Sequence, residues 1–200
     1  MHGTGDVRFF DRVAPLYDLA MPAASRGDLA AGLAEAERPV ETVLDLGGGS
    51  GRATVELDVS ERVVVDISRG MLARARERGL DATCGDAGRL PVRDAAVDAV
   101  TVVDALHHFP DREAAIGEAT RVLRPGGVLV VREFDPDHPL GGLLALGERA
   151  FGMDSAFVAP DTLATEMTDA GLDASVLDRG FGYTVAGVKS TDADAPTGRG

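Results

Sequence analysis

The chain reads as a doubly wound α/β sheet, and three observations carry that reading. Short apolar runs alternate with helix-length segments from residue 41 onward. The run at 97–103, VDAVTVV, is almost continuously apolar, as in a strand covered on both faces. The run from Val43 to Thr54, VLDLGGGSGRAT, ends in a glycine-rich turn, the order that opens a nucleotide-binding βαβ unit.

The elements follow in order. Residues 1–40 carry no strand signal. Phe9, Phe10, Val13, Leu16 and Tyr17 sit at helical spacing, interrupted by Pro15, and an Ala/Leu-rich helix is expected from Ser25 to Glu37, with Pro39 ending it. This part, 1–40, is expected to form a helical lid over the mouth of the ligand site. Strand one spans Glu41–Leu46. The β-branched Thr54 and Val55 make Arg52–Asp58 a poor, short helix. Strand two is Arg62–Asp66, and Ser68 caps a helix over Arg69–Arg78 that stops at Gly79. Strand three is Ala82–Cys84, followed by the loop GDAGRLPVRDAA; strand four is Val97–Val103. A helix over Asp111–Leu123 is broken by Pro125-Gly126-Gly127, and strand five is Val128–Glu133. Helices are expected at Leu140–Ala150 and from Pro160 to Gly171. Two strands, Leu172–Leu177 and Gly182–Val188, close the domain (41–189) as a hairpin that places an antiparallel strand at the sheet edge. Residues 190–200 read as a solvated tail.

Composition narrows the function. The net charge of −13 argues against nonspecific binding to nucleic acid or to an anionic membrane. Aspartate exceeds glutamate and Lys189 is the single lysine, a surface suited to high salt, where screening removes self-repulsion. A plainly acidic surface without salt adaptation has the same composition. Cys84 is the single cysteine, so neither an intrachain disulfide nor a cysteine-based zinc site is available. No run approaches the ~18–20 apolar residues of a membrane span. The N-terminus lacks a signal peptide's apolar core, and the chain reads as cytoplasmic. Oligomeric state leaves no mark on the sequence.

Three patterns compete for the glycine loop. A P-loop needs a lysine after its last glycine, and Lys189 is far downstream. A dinucleotide fingerprint needs G-x-G-x-x-G; Gly47 and Gly49 fit, but Arg52 holds the third position. The pattern D-x-G-x-G-x-G is met by Asp45, Gly47, Gly49 and Gly51. Acids also close strands one to four: Asp45, Asp66, Asp86 just beyond strand three, and Asp104. Asp66 is suited to ribose hydroxyls, because a carboxylate accepts two hydrogen bonds at once. Asp86 suits an adenine amino group, with an Asx-type turn as the alternative. His107 and His108 follow Asp104; adjacent histidines point apart in regular structure, so a metal site is not expected, whereas one of them suits a general base.

These segments resemble the class I S-adenosylmethionine (SAM) methyltransferases over about residues 8–189. The carriers are VLDLGGGSG, VVVDISRGMLARAR, GDAGRLPVRDAAVDAVTVVDALHHFPD and RVLRPGGVLVVREF. With FFDRVAPLYDLAMPAASRG at the N-terminus, the chain is most similar to the quinone C-methyltransferases of menaquinone and ubiquinone synthesis. The resemblance implies a Rossmann-like methyltransferase fold: seven strands, mostly parallel, the last antiparallel, with N-terminal lid helices. It implies SAM as cofactor and a small-molecule acceptor, a quinone precursor among the candidates. Asp45, Gly47, Gly49 and Gly51 would hold the methionine portion. Asp66 and Ile67 would hold the ribose and flank the adenine, with Met71 nearby and Asp86 and Ala87 at the adenine edge. Asp104, Ala105 and Leu106 would line the sulfonium side. His107, His108 and Tyr17, the last from the lid, are the candidate bases. A non-catalytic SAM-binding protein and an NAD-dependent oxidoreductase are the alternatives.

Overall fold

The computed structural model describes residues 26–150 and 155–191. Seven strands form one sheet: β1 Thr42–Leu46, β2 Glu61–Asp66, β3 Asp81–Cys84, β4 Val97–Val103, β5 Leu123–Phe134, β6 Leu172–Asp178 and β7 Gly182–Lys189. The helices are α1 Arg26–Leu33, α2 Arg69–Glu77, α3 Arg112–Val122, α4 Pro139–Ala150 and α5 Pro160–Asp169. The spatial order is β3-β2-β1-β4-β5-β7-β6. The expected helical stretch around Phe9–Tyr17, with Tyr17 itself, and the tail from residue 192 lie outside the described residues.

Strand alternation sends side chains to two cores. On one face Leu44, Leu46, Val100, Val102, Leu129, Val131 and Val185 pack with Ile116 and Ala119 of α3 and Leu163 and Met167 of α5. On the other, Val43, Ala99, Val128, Val130 and Ala186 meet Leu29 of α1, while Val64 meets Leu72 and Ala75 of α2. The sheet is therefore sandwiched, which is why β4 reads as one apolar run: six of its seven residues are buried. No described helix is long and apolar enough to cross a membrane.

Most boundaries fall within a residue or two of expectation; β4 matches, and Ser68 caps α2, its side chain accepting from Met71 N–H at 3.2 Å. Four differences are informative. The last strand, β7, is antiparallel as expected but lies inside the sheet, between β5 and β6, so the edge belongs to β6. The reason is visible in the burial: GYTVAGVK is buried over five successive residues, whereas LDASVLD alternates as an edge strand does. Strand β5 begins at Leu123, and Pro125-Gly126 is carried as an irregularity, with the β4 register shifting between Val97 and Ala99. Arg52–Asp58 yields only a 3-10 turn, Thr54–Glu56. Finally, α1 ends at Leu33 rather than Glu37 and sets Leu29 against the sheet.

Side-chain ties lock the frame. Asp98, 1% exposed at the start of β4, accepts N–H bonds from Glu41 and Thr42 at 3.1 and 3.0 Å and pairs with Arg38 and Arg124 at 2.8 Å each. Burial alone would raise its carboxyl, but Arg124 and the two N–H groups outweigh that and hold it below the usual range. Lys189 Nζ donates to the carbonyls of Thr120 and Leu123 at 2.8 Å each, capping the end of α3. Tyr183, fully buried, donates its hydroxyl to the Val158 carbonyl at 2.7 Å. Replacing Asp98 with Ala removes the acceptor of two part-buried N–H groups and the carboxylate paired with both arginines. The expected cost is about 2–3 kcal/mol, read as a lower urea midpoint with unchanged slope.

Candidate active site

Strand order reverses between β1 and β4, and the crevice at their carboxyl ends is where open α/β sheets take ligands. The glycine loop leaves β1 at this point. Gly47, Gly49 and Gly51 have φ of 70°, 55° and 74°, the left-handed region that costs a Cβ-bearing residue strain. Space is as tight as the torsions: a Cβ on Gly47 would come within 2.9 Å of Ala105 and Phe109.

Asp45 shapes this loop from below. It is 1% exposed, accepts from Thr101 Oγ1 at 2.9 Å and from Thr54 Oγ1, and a Cβ on Gly48 would strike its carboxylate. Burial pushes its carboxyl up to about 6; the two threonine hydroxyls pull the other way, and the charge of Asp66 adds to the rise. Both oxygens of Asp45, expected to help hold the ligand's methionine portion, face threonines, and the residue buttresses the loop.

Asp66, half-buried at the end of β2, accepts from Gly49 N–H at 2.9 Å through Oδ2 and from Ser68 N–H at 2.7 Å through Oδ1. It joins the loop to the start of α2 and stands beside Gly49. Ile67 next to it is 54% exposed, an apolar side chain available to a planar ring. Met71 is buried, its Cε 3.2 Å from where a Gly49 Cβ would be, so it supports the loop from beneath. Asp86 forms the Asx-type turn, accepting from Gly88 N–H at 2.9 Å, and is exposed; Ala87 packs on the core.

Across the crevice, Asp104 closes β4 with φ 49°, one of two non-glycine residues with positive φ among the described residues. Such strain persists where surroundings enforce it, and it clusters at functional sites. Asp104 Oδ1 is buried without a hydrogen-bond donor, with Arg132 Nη1 at 3.7 Å. Burial first, then repulsion from Glu133, pushes its carboxyl up to about 6 against the pull of Arg132, His107 and Arg52. Ala105 touches the loop at Gly47, but Leu106 is 1% exposed and belongs to the core.

The histidines separate sharply. His107, 3% exposed in the turn Leu106–His108, has Nδ1 at 2.9 Å from both oxygens of Glu133, itself 1% exposed on β5. Its ring stacks on Phe157 at 4.3 Å and lies 4.0 Å from the His108 ring. Burial, then the charge of His107, holds His108 down to about 3, too weak a base for work near neutrality. Of the three candidate bases, His107 and His108 lie beside Asp104 in the turn Leu106–His108, and Tyr17 lies outside the described residues. Sequence reasoning missed Glu133, Arg132 and Phe109. The acid inside the apolar run VLVVREF was the available signal for Glu133.

Residues 44–131 match the family described as "Methyltransferase domain". The chain is 43% identical over 143 residues to a demethylmenaquinone methyltransferase of Mycobacterium marinum, covering 68% of this chain and 61% of that protein. It is 41% identical over 136 residues to one of Mycobacterium sp. strain KMS, covering 62% and 57%. The chain thus spans about three fifths of the length of these relatives. Among solved structures it is similar to a Thermotoga maritima SAM-dependent methyltransferase, described as a possible histamine N-methyltransferase (TM-score 0.79, 23% identity, 92% of this chain and 99% of that one). It is also similar to the [4+2]-cyclase SpnF (TM-score 0.71, 19% identity, 92% and 96%). These likenesses show the fold; the second shows that the fold hosts other chemistry.

The Asp45 carboxyl makes the loop pH-sensitive. Its raised value favours the protonated folded state, so this contribution is present below about pH 4 and lost as pH rises through about 6. Asp45→Asn removes it. Between pH 4 and 7 the wild type should lose on the order of 3 kcal/mol relative to that variant, measured by urea melts at each pH.

Proposed function

We propose that this chain, which carries the methyltransferase domain and fold of the class I SAM-dependent methyltransferases, transfers a methyl group from SAM to a small-molecule carbon acceptor, a hydroquinone precursor of a quinone. The observation that carries this reading is the crevice itself. A three-glycine turn is hydrogen-bonded to Asp66 on one side and faces the strained Asp104 on the other. The fit to SAM is specific in its donors and acceptors. Asp66 takes the ribose hydroxyls, Ile67 flanks the adenine, Asp86 and Ala87 lie at its edge, and the glycine backbone passes the methionine portion. Asp104, with a buried oxygen lacking a donor, takes a cationic group. Asp45 acts through the loop.

An NAD reading fits less well. Only a three-residue 3-10 turn follows the glycines, so no helix N-terminus faces a pyrophosphate there. A non-catalytic SAM-binding protein keeps the same crevice, and an acceptor screen separates it from an enzyme.

Bound SAM supplies an electrophilic methyl on a sulfur that leaves uncharged. The protein then has to position, orient and exclude water rather than supply a nucleophile. A quinone ring is electron-poor, so methylation at carbon calls for its hydroquinone, and a base to take the hydroxyl proton. His107 is that base in this reading. The acceptor side in this reading is α4, which leaves Leu140, Leu143 and Leu146 exposed. The composition supports a cytoplasmic protein with a salt-adapted surface.

Calorimetric titration with SAM and S-adenosylhomocysteine (SAH), with NAD as control, in dilute buffer and in molar salt, tests the cofactor. Micromolar binding of the first two and none of NAD is expected; binding of NAD alone would overturn the reading. SAM affinity should fall as pH drops below about 6, where Asp104 takes up a proton, and Asp104→Asn should flatten that dependence. Asp66→Ala should weaken binding by about 1–3 kcal/mol, with Tm as the control for loop damage.

A further inference from the structure

We propose that Arg132 is a positioning residue: seated on Gly182, its guanidinium steadies the Asp104 carboxylate by charge without hydrogen-bonding Oδ1, which leaves that oxygen to the cofactor's cationic group. The inference rests on the methyl-transfer reading above and deepens it. Its first ground is spacing. Arg132 Nη1 stands 3.7 Å from Asp104 Oδ1, and Oδ1 is buried with no donor. That is beyond the ~2.7–2.9 Å of a charge-assisted hydrogen bond. An opposite charge at such a distance still favours the ionised carboxyl.

The second ground is the seat. A Cβ on Gly182 would lie 2.2 Å from Nη1, 2.4 Å from Nη2 and 2.5 Å from Cζ of Arg132, so the guanidinium fills the space that another residue's side chain would take. Gly182 is not among the glycines with positive φ, so room rather than torsion calls for glycine here. The guanidinium carbon lies 5.9 Å from the centre of the Phe134 ring, and Nη1 donates to the Glu133 carbonyl at 3.4 Å. The third ground is place, because three strand ends meet at the carboxyl edge. Asp104 follows β4, and its N–H donates to the Arg132 carbonyl of β5 at 2.9 Å. Gly182 opens β7 and pairs with Phe134. The charged groups that face Asp104 are Glu133 and Arg132 from β5, His107 from the turn after β4 and Arg52 from the glycine loop. Glu133 and Arg132 act on it in opposite senses from adjacent positions, so moving the guanidinium alone changes the balance.

Titration of the Asp104 carboxyl ¹³C signal in the full chain, with SAH calorimetry over the same pH range, tests this. Arg132→Met removes the cation and should raise the carboxyl midpoint by about one unit, and the pH below which SAH binding weakens should rise with it. Arg132→Lys keeps a charge and should restore most of the shift. In Gly182→Ala the new methyl meets the far end of a flexible side chain, so Tm should hold while the guanidinium is displaced and the midpoint moves. Bound SAH should lower the wild-type midpoint, because its ammonium meets Oδ1. An Arg132→Met midpoint equal to that of the wild type overturns the proposal. A midpoint unmoved in Gly182→Ala overturns the seat, and one unmoved by SAH overturns the use of Oδ1. Failure of the wild type to bind SAH at any pH would instead overturn the methyl-transfer reading, and the carboxyl titration would still decide whether Arg132 acts on Asp104.

Discussion

The buried carboxylate of Asp45 ties three pieces of chain together. It sits on β1, takes the Thr54 hydroxyl from the turn beyond the glycines and takes the Thr101 hydroxyl from β4. The loop between Asp45 and Thr54 is thus closed on a short tether and can fold back only through left-handed torsions. Those torsions put Gly47 against Ala105 and Phe109, and Gly49 within reach of Asp66. An ionisable group in that place is expensive, and the burial that raises its carboxyl is the measure of the expense. An apolar residue there would leave two buried hydroxyls without their acceptor.

The frame was legible in the sequence because the strands obey period and burial rules that act locally. VDAVTVV has the continuous apolar run of a covered strand, and Ser68 is a residue type that caps helices. The glycine loop was legible for the same reason, since its residues are contiguous. The roles of Asp45 and Glu133 were not. Asp45 has the same place in the motif whether it faces the ligand or the threonines, and Thr101 lies 56 residues away. Glu133 looks like an ordinary strand-end acid until β4 brings His107 beside it across 26 residues. The interior place of β7 was missed because adjacency in sequence suggested a hairpin at the rim, whereas the apolar content of GYTVAGVK asked for two neighbours.

The carboxyl edge of the sheet sorts its acids by environment. Asp86 is turned on itself and exposed, Asp66 is bridged by two N–H groups, Asp104 is buried with an oxygen lacking a donor, and Glu133 is ringed by three N–H donors. Carboxylates thus meet solvent, backbone N–H groups and a buried imidazole within one rim. The difference is made by which neighbouring groups donate, not by the acid itself.

The interior position of β7 has a consequence for how the chain is made. The penultimate strand, β6, leaves the ribosome first but has no partner until β7 has been synthesised, because β7 lies between it and β5. During that interval β5 presents an open apolar edge, and the Val158 segment waits for the hydroxyl of Tyr183. Completion of the sheet is therefore a late event that joins distant stretches, a slow kind of step that leaves nascent chains open to mispairing. A chain stopped a few residues before Lys189 would forfeit more than its last strand: β6 would lose its only neighbour as well.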